Sequence, residues 1–258
     1  MSDVHGFYTE TIRALKDHGF FTDTEPHKLI VCGDMMDRGA EAVQMQEFMY
    51  DLLQKDQLIF VRGNHEDLMV EMVKNFGLHF PSILYGKSHH VSNGTFDTAI
   101  QLSGVSYPDF IREWEKPIEN VRNSIFFKDL IPASINYFET KNYIFVHGWI
   151  PCANTNPFYS EFYGGTFGRG SEYNPNWRKA KTADWEDARW LNGMKMAEHY
   201  KITEPGKTIV CGHFHTSWGH YYFGKSPEEI GPDADFSPFY GHAFIAIAGC
   251  TAYSGMVN

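Results

Sequence analysis

Apolar residues between positions 28 and 61 fall in two short continuous runs, KLIVC at 28–32 and QLIFV at 57–61, with an amphipathic stretch between them. Each run has the length of a buried strand and is followed by Gly or Arg-Gly, which marks a turn. Within 41–54 the apolar positions Val43, Met45, Phe48, Met49, Leu52 and Leu53 recur at helical spacing, so this segment predicts a helix. A helix over 7–18, stopped by Gly19, precedes the first strand, and another over 67–75 follows the second. This β-α-β-α alternation predicts parallel strands joined by crossover helices, an arrangement that gathers ligands at the carboxyl ends of the strands.

From 76 to about 132 the alternation lapses into short helical patterns broken by Gly and Pro, among them 96–102, 109–114 and 121–130, and a mostly helical insertion is expected. Segments 134–140 and 142–146 predict a hairpin whose second strand runs into His147-Gly148. Residues 151–181, rich in Asn, Pro, Gly and Tyr, predict a long ordered loop over the working face. One helix is expected over 185–200, then strands at 208–211, ending in GHFH, and at 243–248.

Composition narrows the picture. The 258 residues have room for a substantial core, and one domain over 1–258 is expected. No apolar run approaches the roughly 20 residues of a membrane helix, and no leader pattern precedes the first helix, so the expected compartment is the cytoplasm. A net charge of −10 disfavours general binding to nucleic acid or anionic membranes. The four cysteines, Cys32, Cys152, Cys211 and Cys250, lack CxxC spacing and read as small buried hydrophobes rather than a disulfide framework.

The candidate chemistry stands where the segments end. Asp3 and His5 lie in SDVHG, Asp34, Asp37 and Arg38 in GDMMDRG, Asn64 and His65 in GNHE, His147 in VHG, and His213 and His215 in GHFH. A lone His is ordinarily a hydrogen-bonded surface or core residue, but five segments ending alike are not explained that way. A mixed nitrogen and oxygen set of this size suits borderline divalent cations such as Mn²⁺, Fe²⁺ or Zn²⁺ and exceeds what one tetrahedral site takes, so two metals sharing a carboxylate fit better.

The ordered set DxH, GDxxDRG, GNHE, HG and GHxH resembles the calcineurin-like metallophosphoesterases, in particular the branch of Ser/Thr protein phosphatases and related bacterial and phage enzymes. The motifs span residues 3 to 215. The resemblance implies an α/β fold in which two mixed β-sheets pack as a sandwich flanked by helices, with a dinuclear metal site at the carboxyl ends of the strands. It implies that Asp3, His5 and His215 bind the first metal, that Asp34 bridges both, and that Asn64, His147 and His213 bind the second. His65 is its general acid, held by Asp37, Arg38 its phosphate clamp, and Arg189 in DWEDARW a second phosphate-binding arginine. A metal-bridging hydroxide would attack phosphorus in line while protonated His65 helps expel the leaving group.

Arg62 reads as a structural ion pair, and Trp149, Tyr163 and Trp218 are candidate cleft walls. Two departures from the family pattern carry expectations. Only Met1 and Ser2 precede Asp3, where the family has a buried strand, so Asp3 and His5 are expected to be poorly anchored; and Ala248 stands where the family tends to carry Asp. The implied activity is hydrolysis of phosphoserine or phosphothreonine on a protein, or, with the same catalytic residues, of a nucleotide or dinucleoside polyphosphate. A non-catalytic binding protein on this fold is the remaining reading, and its signature would be missing ligands.

Overall fold

The computed structural model describes residues 1–154 and 171–258. The predicted alternation is present: α1 (Tyr8–Asp17), β1 (Leu29–Cys32), α2 (Ala42–Gln54), β2 (Leu58–Val61) and α3 (Asn64–Lys74), with β1 and β2 paired in parallel from Leu29 opposite Leu58 to Cys32 opposite Val61. Sheet hydrogen bonding continues at both edges of this pair. The Met1 amino group donates to the Ile30 carbonyl at 3.0 Å and the Cys32 amide to the Met1 carbonyl at 2.9 Å, while Ile135 exchanges backbone bonds with Phe60 and Arg62 on the β2 side.

The insertion is helical, as expected: α4 (Phe76–Leu84), α5 (His89–Ser92), α6 (Thr95–Ser103), α7 (Tyr107–Arg112) and α8 (Glu115–Arg122), then a π-helical turn at Phe126–Leu130 running into α9 (Ile131–Ala133). It covers the β1–β2 sheet. Phe76, Phe96, Phe110 and Phe126 are buried in one apolar core with Val31 and Phe60 of the strands and Met45 and Met49 of α2.

The second sheet orders β3 (Phe138–Glu139), β4 (Tyr143–Phe145), β5 (Thr208–His215), β7 (Phe244–Ala248) and β6 (Phe239–Gly241), with β4, β5 and β7 parallel and the outer strands antiparallel. Its own core includes Ile144, Ile209 and Phe244 with Trp149, Trp177 and Trp185. The expected helix over 185–200 is two helices, α10 (Thr182–Ala188) and α11 (Gly193–Glu198). Asn192, with extended backbone, starts the new helix by accepting from the Lys195 amide at 3.1 Å, and Gly193 packs so closely that a side chain there would lie 2.7 Å from both Cys211 Sγ and the Trp149 ring. The 208–211 strand is longer than its apolar run and carries the GHFH residues, and α12 (Thr216–Tyr222) and, near the end of the chain, α13 (Thr251–Ser254) were not anticipated.

The two sheets meet where glycines allow it. A side chain on Gly212 of β5 would overlap Ser2, and His147 at the exit of β4 donates from Nδ1 to the Cys32 carbonyl of β1 at 2.7 Å. Cys32 and Cys211 are fully buried thiols, and Cys152 and Cys250 are half-buried. No helix among the described residues is long and apolar enough to cross a membrane.

Candidate active site

The chain around the candidate residues is bent in a way that random placement does not produce. Asp3, His5, Asp34, Asp37, Arg38 and His213 all have left-handed backbone conformations, with φ between 49° and 75°. Such conformations cost non-glycine residues on the order of 1 kcal/mol or more and persist where the surroundings impose them, typically at functional sites. Glu66 does much of the imposing. It is fully buried at the start of α3, and its carboxylate accepts from the amides of Gly63 (2.7 Å), Met35 (2.9 Å) and Asp34 (3.0 Å). Burial and the nearby Asp34 charge push its pKa up to about 7, against the three N–H donors that favour its ionised form.

Asp3 and His5 are not loosely held. Their amides donate to the carbonyls of Gly33 (3.1 Å) and Asp34 (3.0 Å), and Gly6 follows onto Met35 at 2.8 Å, so residues 1–6 run alongside the Asp34 loop and both side chains are buried. The expectation of poor anchoring is therefore corrected: main-chain pairing beside β1 supplies what a long preceding strand was expected to supply.

Asp34 lies between two groups of possible ligands, His5 with His65 and His147 with His213, the donor atoms of each group falling within 4.8 Å of one another. In the second group His147 Nδ1 donates to a carbonyl, and its Nε2 lies 2.7 Å from Asn64 Oδ1 and 3.4 Å from Asp34 Oδ1. An imidazole nitrogen and two oxygens converging on one point form a donor set that suits a divalent cation. Burial lowers the His213 pKa to about 3, keeping it a neutral nitrogen donor, and the histidines around Asp34 outweigh burial and hold that carboxyl well below its usual range.

On the other side His5 Nδ1 donates to the Met36 carbonyl at 3.0 Å, which again leaves Nε2 as the acceptor. There the cation is the guanidinium of Arg38, which donates from Nη1 to His5 Nε2 at 2.9 Å and from Nη2 to His65 Nε2 at 3.2 Å. His65 Nδ1 lies 2.7 Å from Asp37 Oδ2. Asp37 is held in turn from the insertion, accepting from Thr95 Oγ1 at 2.8 Å while its amide donates to Thr98 Oγ1 at 3.1 Å. Burial is the largest influence on His65 and opposes its charge, but the carboxylates of Asp34 and Asp37 together outweigh it and raise the pKa above the ordinary value.

Two candidates point elsewhere. His215 reaches Ser217 Oγ at 2.8 Å and Glu229 Oε1 at 3.3 Å rather than the Asp34 groups. Arg189 is buried, with Nη1 2.5 Å from Asp67 Oδ2 and Nη2 2.6 Å from Asn136 Oδ1. Asp67 also takes Arg62 Nε at 2.7 Å, so Arg62 forms an ion pair. Asp3 stays beside the cluster, accepting from Ser2 Oγ and from the His213 amide. Trp149 and Trp218 pack among other aromatics, and Tyr163 lies outside the described residues. Trp190, which the motif reading passed over, sets its ring edge-on to His213 with centroids 5.8 Å apart and is 40% exposed. Thr95 and Thr98 carried no signal in the sequence, because a threonine in a helix some 60 positions from its partner resembles any other.

The family model for calcineurin-like phosphoesterases matches residues 1–229. The chain belongs to this family. Among curated relatives, this calcineurin-like phosphoesterase is 32% identical over 71 residues to an asymmetrical bis(5'-nucleosyl)-tetraphosphatase PrpE of Geobacillus sp. (strain WCH70), covering 25% of this chain and 29% of that protein. It is 27% identical over 128 residues to the PrpE of Bacillus velezensis, covering 45% of this chain and 47% of the relative. The chain thus spans less than half the length of these curated relatives. Similar solved structures include a putative diadenosine tetraphosphatase (12% identity, TM-score 0.45, covering 98% of this chain and 82% of that one) and a protein serine/threonine phosphatase from Saccharomyces cerevisiae (15% identity, TM-score 0.40, covering 83% and 59%).

Proposed function

We propose that this phosphoesterase is a cytoplasmic, one-domain hydrolase of phosphoesters that uses two divalent cations, Mn²⁺ foremost with Fe²⁺ or Zn²⁺ as substitutes, and His65 as the proton donor to the leaving group. One observation carries the reading: the His65–Asp37 pair lies against Asp34, with His65 Nε2 3.8 Å from Asp34 Oδ2, and Asp34 is the carboxylate common to both ligand groups. Asp34, Asn64, His147 and His213 would hold one cation. Asp3, His5 and Asp34 would hold the other, joined by His215 once it releases Glu229. The cations, when bound, supply neutralisation of the phosphoryl oxygens and an acidified attacking water.

The protein side of the chemistry follows from the hydrogen bonds. Asp37 fixes the His65 ring through Nδ1, so that Nε2 faces the reacting side and can pass a proton to a departing oxygen. Arg38, now forked onto His5 and His65, would turn the same fork onto two phosphate oxygens. Its withdrawal from His65 removes a positive charge beside Nε2 and so favours the protonated acid. Arg189, held by Asp67, would reinforce the phosphate site only by exchanging that partner.

Two substrate readings rest on different observations. A carboxylate-backed acid matters most for an alkoxide leaving group, which supports phosphoserine or phosphothreonine on a protein. The names of the curated relatives support a dinucleoside polyphosphate. The test is a panel on the Mn²⁺-loaded protein comprising a phosphoserine peptide, diadenosine tetraphosphate, a cyclic nucleotide and p-nitrophenyl phosphate. His65→Asn is expected to lower kcat on the peptide by about 100- to 10,000-fold and far less on p-nitrophenyl phosphate, whose leaving group is a weak base. Equal losses on both would remove His65 from the acid role. No turnover of any phosphoester would favour the binding-protein reading.

A further inference from the structure

Outside the Asp34 site, a second cluster of metal-binding side chains occupies the helical insertion. We propose that Glu71 on α3 and His89 and His90 on α5 hold a further divalent cation such as Zn²⁺, with His79 on α4 positioning the Glu71 carboxylate. One donor atom from each of Glu71, His89 and His90 falls within 4.8 Å of the others. The His89 and His90 rings stand 3.9 Å apart between centroids, and His79 closes on His90 at 4.6 Å.

The second, independent observation is His90 itself. Its side chain is fully buried; Nε2 lies 3.1 Å from Glu71 Oε2 in an ion-pair contact, and Nδ1 has no hydrogen-bond partner. Leaving a buried polar group unpaired is costly, and a cation seated between the imidazole and the carboxylate would offset that cost at the nitrogen it binds. The rest of the carboxylate is arranged as a ligand's usually is: Oε1 accepts from Asn75 Nδ2 at 3.1 Å and from His79 Nε2 at 2.8 Å, which fixes the group and turns Oε2 toward His90. Two imidazoles and one carboxylate suit a borderline cation of the zinc type, with a fourth position open to water.

The position gives the site a consequence. α3 begins with Asn64 and His65, and α5 leads directly into α6, whose Thr95 and Thr98 hold Asp37. An ion joining α3 to α5 would tie together the two supports of the His65–Asp37 pair.

The test uses the full chain, stripped of metal with a chelator, reloaded with Zn²⁺, desalted and analysed for bound zinc. Glu71→Gln and His89→Ala are each expected to carry one equivalent fewer than the wild type. His79→Ala should bind that equivalent about 10- to 100-fold more weakly. Being a difference between variants, the count is independent of what the Asp34 site binds and of the proposed activity. His89 is exposed, so His89→Ala keeps the test valid if Glu71→Gln fails to fold, and circular dichroism of the chelated proteins checks this. Equal zinc content in the wild type and the folded variants would overturn the proposal.

Discussion

A carboxylate accepting three backbone amides is the residue-scale feature that makes the site possible. Glu66 joins the start of α3 to the Asp34 loop, where Asp34, Asp37 and Arg38 all have positive φ. Glutamine at 66 has one acceptor oxygen in place of two and turns an NH₂ group toward a backbone N–H. Glu66→Gln is therefore expected to destabilise the fold by about 1–3 kcal/mol, read from urea unfolding. The sequence shows Glu66 only as the last letter of GNHE; its physical role is to support strained backbone. Arg189 shows the same limit in reverse. The family resemblance of DWEDARW implied a phosphate contact, while the structure puts its guanidinium on Asp67 and Asn136.

Elements meet at the site only because side chains are missing where they cross. Gly33, with φ of +83°, lets the end of β1 pass between β2 and β4: a side chain there would lie 2.5 Å from His147 Nδ1 and 2.7 Å from Gly63 Cα. Gly33→Ala must move His147, the residue whose Nε2 meets Asn64 and Asp34. The expected outcome is a loss of about 1–3 kcal/mol in stability together with weaker metal binding at the Asp34 site, measured by thermal unfolding and by metal titration. The strands and helices of 7–75 were legible because each follows a local period, and α1, β1 and β2 are each followed within two residues by a glycine. The close packing of Gly193 on Cys211 and Trp149, where α11 begins, was not legible, since those partners lie far away along the chain.

Across the whole molecule, charge pairing far from the site holds the second sheet's edge. Glu139 on β3 takes Arg178 Nη2 at 2.5 Å and Lys207 Nζ at 2.7 Å, and Arg178 also reaches Glu204, linking β3 with the chain before α10 and the approach to β5. The Arg178 hydrogen bonds lower the Glu139 pKa to about 2, outweighing the opposing effect of partial burial. A carboxyl with a depressed folded pKa stabilises fully above its unfolded value near 4.5 and loses that contribution as pH falls towards 2. Glu139→Gln should thus lower the melting temperature at neutral pH and flatten its fall between pH 4.5 and 2, as followed by calorimetry.

The sequence by itself determined which residue types stand at the segment ends and the family to which their order points, because those features are local: an apolar run sets a strand, and the glycine and polar residues after it set the turn. Only the tertiary structure decided which of these groups share a point in space. It placed Asp34 between two acceptor clusters, set Thr95 and Thr98 on Asp37, turned His215 toward Glu229, and gathered Glu71, His79, His89 and His90 in the insertion. Such contacts depend on how helices and sheets cross, and on how buried donors and acceptors find partners, which no spacing along the chain encodes.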